Sequence, residues 1–289
     1  MMYTNEQILE YVKMPEDCAK LALECLDRVK NNEKFIEYKQ RFYNGGFAEE
    51  SLDRYAESIG ERPLMLRLAF CLFCTDKMYE IFTELGLSDK VYLDSLIDLR
   101  VWANTCMKNY GEWGMREFKW LSNALRGKLF RMGRLQFERT VMEHCDYNKH
   151  GVQVKKEEEV IGVHIPEDGR MSGEDRLDSY KQAYEYFGNS VFICETYLFY
   201  PAQSDFLPET SNILAFMNEF DVVYYEEDSQ MRDMWRIFGM RGSYDPATLP
   251  RDTSLQRAYA DHLARTGKNG MGYGVMVFDG EKILTQKFN

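Results

Sequence analysis

The sequence predicts an α+β protein: an all-helical domain over residues 1–115, then a mixed sheet flanked by helices over 116–289. Three observations carry that expectation. Apolar residues recur at three-and-four spacing through the first hundred or so positions, and no alternating run appears before about residue 128. Beyond that point, short period-two runs and short continuous apolar runs take over. Two of these runs enclose a helical stretch, and a strand–helix–strand unit makes parallel pairing the natural arrangement.

The helical half opens with Thr4 and Gln7, a capping box ahead of Ile8 and Leu9. Pro15 suits the first turn of the next helix, where Cys18, Leu21, Ala22, Cys25, Leu26 and Val29 form one apolar stripe. Asn44-Gly45-Gly46 reads as a turn. One strongly apolar helix is expected over residues 63–85, closed by Gly86 and Leu87. Ser88 then caps a helix carrying Leu93, Leu96 and Ile97. The change of pattern falls within residues 108–127.

After it, residues 129–140 alternate as a strand, and the polar stretch 147–159 reads as a hairpin region. A strand over 160–165 stops at Pro166, and a polar loop leads to a helix holding Leu177, Tyr180, Ala183, Tyr184 and Phe187. Residues 191–200 are apolar on both faces, as a central parallel strand requires. Helices are expected over 211–220, 231–238 and 254–265, strands over 222–225 and 273–278, and a hairpin at Asp279-Gly280.

Composition narrows the function classes. With 45% hydrophobic residues, 19 Tyr and 18 Phe, the chain has the means to bury a core. Its 36 basic against 47 acidic residues give a net charge of −11, which argues against nucleic acid or an anionic membrane as partner. The seven cysteines, Cys18, Cys25, Cys71, Cys74, Cys106, Cys145 and Cys194, are odd in number and lie mostly in apolar patterns, so free thiols in a reducing compartment are expected. The first residues lack a basic and then apolar leader, and the longest apolar run, 68–74, is too short to span a bilayer. A cytoplasmic location is the expectation. Nothing in the sequence fixes an oligomeric state.

Several motifs resolve to packing. Cys71-Leu72-Phe73-Cys74 has the spacing of a metal or redox pair, but no second pair or histidine stands at ligand spacing. Gly267-Lys268-Asn269-Gly270 lacks the rest of a P-loop and reads as a turn. No G-x-S-x-G elbow and no H-E-x-x-H exists, so neither a hydrolase nor a metal site is expected.

The loop over 166–173 carries more. It leaves a strand, contains Gly169 and Gly173, and opens a helix, the setting in which free backbone N–H groups bind phosphate. Arg170 and Arg176 would add positive charge; Glu167, Asp168, Glu174 and Asp175 would oppose it. An anion site and a plain turn fit this loop equally well. On the flanking strands, His164 lies opposite the face of Ile161, Val163 and Ile165, and Glu195 shares a face with Val191, Ile193 and Tyr197. A carboxylate in so apolar a strand costs several kcal/mol unless paired or protonated, and burial would raise its pKa toward that of a useful base. An ion pair with Arg134 or Arg139 is the alternative reading of Glu195.

The second half resembles a known family. Gly133-Arg134-Leu135-Gln136-Phe137-Glu138, Val163-His164-Ile165-Pro166-Glu167-Asp168-Gly169 and Leu177-Asp178-Ser179-Tyr180 carry the resemblance. So do the stretch 194–201 with Leu207-Pro208, Ser211-Asn212-Ile213-Leu214, and Gly272-Tyr273-Gly274. These are similar to acyltransferases of Firmicutes that join a helical N-acyltransferase N-terminal domain to a GNAT-like C-terminal domain. The resemblance implies a GNAT-like sheet whose strands over 159–165 and 191–200 splay to admit the acyl-pantetheine arm of CoA.

It also implies a diphosphate loop of form Q/R-x-x-G-x-G/A. Arg170-Met171-Ser172-Gly173 matches the first half, and Asp175 stands where Gly or Ala is expected. Asn212 and Ala215 match the Asn and Ala near the cofactor on the following helix. The Tyr that such enzymes place on that helix to protonate the departing thiolate is missing over 211–220, which leaves the role vacant or to another residue such as Tyr197. The expected activity is acyl transfer from acetyl-CoA or another acyl-CoA, as co-substrate and without a metal, to a small-molecule or peptide amine. Glu195 or His164 would take the amine's proton. The competing expectation is a GNAT-shaped binding or protein-interaction module that has lost catalysis.

Overall fold

The computed structural model describes residues 3–239 and 244–287, in two compact units. The first comprises Met1–Met132 with Pro166–Asp168, and the second Gly133–Ile165 with Gly169–Asn289. The architecture is α+β, helices first and then a mixed sheet flanked by helices.

In the first unit the helices are α1 Asn5–Tyr11, α2 Glu16–Val29, α3 Glu33–Asn44, α4 Glu49–Ser58, α5 Pro63–Phe73, α6 Thr75–Glu84, α7 Asp89–Ser95, α8 Ile97–Tyr110 and α9 Phe118–Leu125, followed by the short strand β1 Phe130–Met132. Local signals set the ends: Thr4 and Gln7 complete the capping box of α1, and Ser88 caps α7. The single apolar helix expected over 63–85 is two. At Cys74 (φ −94°, ψ −6°) the amide bonds both Phe70 and Cys71 carbonyls, a tightened turn that redirects the chain into α6. Cys71 and Cys74 are fully buried, and burial pushes both thiols up, Cys74 to about 12; they are packing groups. All seven cysteines are free. Among the described residues no helix is long and apolar enough to cross a membrane.

The second unit holds β2 Leu135–Val141, β3 Tyr147–Lys149, β4 Val152–Val154, β5 Glu159–His164, α10 Gly173–Phe187, β6 Val191–Thr196, α11 Gln203–Phe206, α12 Asn212–Met217, β7 Asp221–Glu227, α13 Trp235–Phe238, α14 Ser254–Thr266 and β8 Gly270–Val277. Its sheet runs β2-β5-β6-β8-β7, and β3 and β4 form a separate hairpin. Gly133, at φ +68°, ends the run expected over 129–140 as one strand and divides it into β1 and β2. On one face of the sheet Phe137 and Phe192 pack against Tyr180 of α10, with ring centroids 6.4 and 6.0 Å away. The opposite face buries Val160, Val191, Ile193, Tyr273 and Val275 with Tyr147 and Val154 of the hairpin.

The strand expected over 191–200 stops at Thr196, and Tyr197–Phe199 form a 3₁₀ turn. Thr196 Oγ1 accepts the Leu198 amide, and Gln203 Nε2 donates to the Tyr197 carbonyl at 2.7 Å, which bends the chain off the sheet. Phe199 then lies flat on β8. It can do so because Gly272 and Gly274 carry no side chain; a Cβ on Gly274 would stand 2.7 Å from the Phe199 ring.

Candidate functional site

β5 and β6 are the parallel neighbours at the centre of this sheet, and their pairing is brief. Ile161 faces Phe192 and Gly162 faces Ile193; from Val163 and Cys194 onward the described strands part. β5 remains paired with β2 out to His164, and β6 with β8 out to Thr196, so each arm of the opening is held from its outer side. The result is a gap between two strand ends, each bordered by main chain and paired on its outer side.

The pleat puts His164 and Glu195 on the same face of their strands. His164 pairs across from Gln136, two residues beyond Gly162, while Glu195 pairs across from Tyr273. His164 Nε2 lies 2.7 Å from Glu138 Oε1, a hydrogen-bond distance that ties the ring to the carboxyl group. Gly162 permits this: a Cβ there would stand 3.2 Å from Glu138 Cγ, under the arm that reaches His164.

Glu195 is less buried than so apolar a strand suggests, with 44% of its side chain exposed, because β6 ends one residue later. Neither Arg134 nor Arg139 pairs with it. Arg134 donates to the carbonyls of Gly169 and Arg170, and Arg139 pairs with Glu159. Its neighbour is instead His144, whose Nε2 stands 4.0 Å from Glu195 Oε1 and has no hydrogen bond among the described residues. The His144 ring stacks on Tyr224 at 4.2 Å and meets Tyr273 edge-on at 4.6 Å, so two aromatic rings fix the imidazole. Partial burial raises the Glu195 carboxyl above the usual range; the Glu143 and Glu226 charges push the same way, and His144 opposes them. Ligand atoms of Glu143, His144 and Glu195 all lie within 4.8 Å of one another.

Tyr197 follows in the 3₁₀ turn, edge-on to Tyr259 of α14 at 6.4 Å. It has left the strand that Glu195 occupies.

On the α10 face, Gly169 takes φ +65°, a left-handed conformation, and Gly173 is the first residue of α10. Arg170 is exposed. The helix start is already capped: Ser172 Oγ accepts the Asp175 amide, and the Asp175 carboxylate takes hydrogen bonds from the Ser172 amide and hydroxyl. Those bonds hold Asp175 below its ordinary pKa. Arg176 points inward. Its Nε and Nη2 bond Glu219 at 2.8 and 2.5 Å, and Nη1 bonds the Met171 carbonyl at 3.3 Å, so the guanidinium expected to meet a phosphate is spent on a buried pair. Tyr180 completes the cluster by donating to Glu219 at 2.9 Å. Asn212 is the first residue of α12, after the Ser211 cap.

Sequence reading missed His144. The signals were a histidine among only four in the chain, beside Glu143 and just past a strand; what they could not supply was its contact with a strand end fifty residues on.

Residues 129–276 match the family described as "GNAT-like C-terminal domain", and residues 4–127 match "N-acyltransferase N-terminal domain". No curated protein matches the sequence. Among solved structures, the chain is similar to an acyltransferase in complex with decanoyl-CoA and teicoplanin, at 20% identity and a TM-score of 0.70, over 95% of this chain and 88% of that one. It is also similar to a mutant acyltransferase in complex with octanoyl-CoA, at 20% identity and a TM-score of 0.73, over 96% and 90% of the two chains.

Proposed function

Because the chain belongs to the family of the GNAT-like C-terminal domain, here preceded by an N-acyltransferase N-terminal domain, we propose that it transfers an acyl group from acyl-CoA to an amine. The observation that carries the reading is the early parting of β5 and β6, and on this reading a slender thioester arm runs through it from the α10 face to the Glu195 face. The complexes of octanoyl-CoA and decanoyl-CoA with proteins of like fold support an acyl-CoA donor. The teicoplanin complex supports an acceptor that is a small molecule or a peptide.

Glu195 takes the proton from the incoming ammonium, since only the neutral amine attacks a thioester carbon. His144 beside it, with Nε2 open, accepts a hydrogen bond from the acceptor. Main-chain N–H groups along the gap hold the carbonyl oxygen as it becomes an oxyanion. Collapse of the tetrahedral species breaks the C–S bond, and the thiolate takes a proton from Tyr197, two residues past Glu195. The nitrogen's second proton replaces it on the phenol through water, and Glu195 returns its own proton to solvent. Gly169, Arg170, Gly173 and Asn212 border the donor's path on the α10 and α12 side.

The test is thermal unfolding with and without CoA. At a hundred times its Kd a ligand adds about 2.7 kcal/mol of stability. An unchanged transition at millimolar CoA would remove the reading. A second reading, a module of this shape without catalysis, draws on one observation: Glu219 holds the Arg176 guanidinium that a diphosphate would use.

A further inference from the structure

With Arg176 turned inward on Glu219, and the Ser172 and Asp175 amides taken up in the capping box, further cations near the α10 start gain weight as partners for the phosphates of a CoA donor. A cleft of about 860 Å³ opens beside that same helix start, bordered by Gly173 and Leu177, by Ala215 and Asn218 around α12, and by the segment over 281–287. Its size falls within the range of small-molecule sites. Two ammonium groups stand on its wall, Lys282 and Lys287; neither stands within salt-bridge distance of a carboxylate among the described residues, though the Lys282 charge helps hold the Asp279 carboxyl low.

The segment that bears them is fixed. The Leu284 amide bonds the Val277 carbonyl at 2.8 Å, Thr285 Oγ1 donates to the Glu219 carbonyl at 2.7 Å, and the Lys287 amide bonds the Asn218 carbonyl at 2.9 Å. Cations on a tethered backbone cost less to order around a ligand than cations on a loose tail. Glu209 and Glu281 also line the cleft. There is therefore no broad basic field, and binding must come from direct contact with the two lysines.

Resting on the acyl-CoA reading above, we propose that this cleft holds the nucleotide end of the donor, with Lys282 and Lys287 neutralising its phosphates in place of Arg176. The cleft lies against α10 and α12, whose Tyr180 and Phe216 pack with Phe192 and Phe199 on the sheet face opposite Tyr273. A donor anchored there threads the gap from behind and presents its thioester on the Glu195 side.

Calorimetric titration of the intact protein tests this with three ligands: CoA, adenosine 3′,5′-bisphosphate and pantetheine. K282A/K287A is expected to weaken CoA and the bisphosphate by about tenfold or more, each lost charge-assisted contact being worth that order. Pantetheine affinity should not move, and K282R/K287R should keep CoA binding. Both lysines are exposed, so the variants should fold. CoA affinity within about twofold of the parent in the double alanine variant overturns the assignment and leaves acyl transfer standing, as does an equal loss for pantetheine. A parent protein that binds none of the three removes the transferase reading and this assignment together.

Discussion

On one side of the gap His164 and Glu138 meet at 2.7 Å; on the other, His144 and Glu195 stop at 4.0 Å. Both pairs sit on the same sheet face, and each joins an imidazole to a carboxylate. The first is a closed hydrogen bond between β5 and β2, two strands locked in antiparallel register. The second joins a residue beyond β2 to the last positions of β6, and it leaves both groups open to a third partner. A proton acceptor must offer an unused lone pair, so the looser pair is the one suited to chemistry and the tighter one to holding its strand end in place. In the proposed mechanism the separation, more than residue type, divides the roles.

The sharpest way to break this comparison is Glu195→Gln. Loss of the proposed general base should lower kcat by roughly 10²–10⁴-fold in a steady-state acylation assay, and an unchanged kcat would hand the role to His164. The variant should be at least as stable as the parent near neutral pH. A raised carboxyl pKa means the folded state binds the proton more tightly, so stability falls as pH rises through that window, and Gln removes the loss. Urea titration checks it. Next in size, His144→Ala should lower kcat by about tenfold, through the loss of one polar contact to the acceptor or base.

The pH profile is a finer probe. Its acidic limb should lie above the usual carboxylate range, rate rising with pH as Glu195 deprotonates, and Glu143→Gln should move that limb downward by removing a like charge. The smallest change is expected from Glu138→Gln. It keeps a hydrogen-bonding side chain for His164 and should alter kcat by no more than about threefold, which a kcat-against-KM comparison would resolve.

Much of the fold was legible because its signals are local. The stripe from Cys18 to Val29, the caps at Thr4 and Ser88, and the short polar hairpin all follow from neighbours a few residues apart. The break at Cys74 was not, since no Gly or Pro stands near it to interrupt the apolar pattern; the turn came from how its amide is shared. Nor was the early end of β6. The apolar run continues through Tyr200, and only the glycines of β8, more than seventy positions on, show where Phe199 must lie. At the site, His164, Glu195 and the loop at Gly169 were legible as residues of unusual type in their settings. Their partners were not: Arg176 finds Glu219 forty-three residues away, and Glu195 finds His144 from a segment that reads as plain loop.

By itself, then, the order of residues determined the two-part α+β layout, the strand–helix–strand core and the set of polar side chains near it. Tertiary structure alone decided which of those side chains are used up and which remain open. Hydrophobic periodicity and capping act within a turn or two of chain. Ion pairing acts through space and falls to whichever charges the packed backbone brings within a few ångströms of each other.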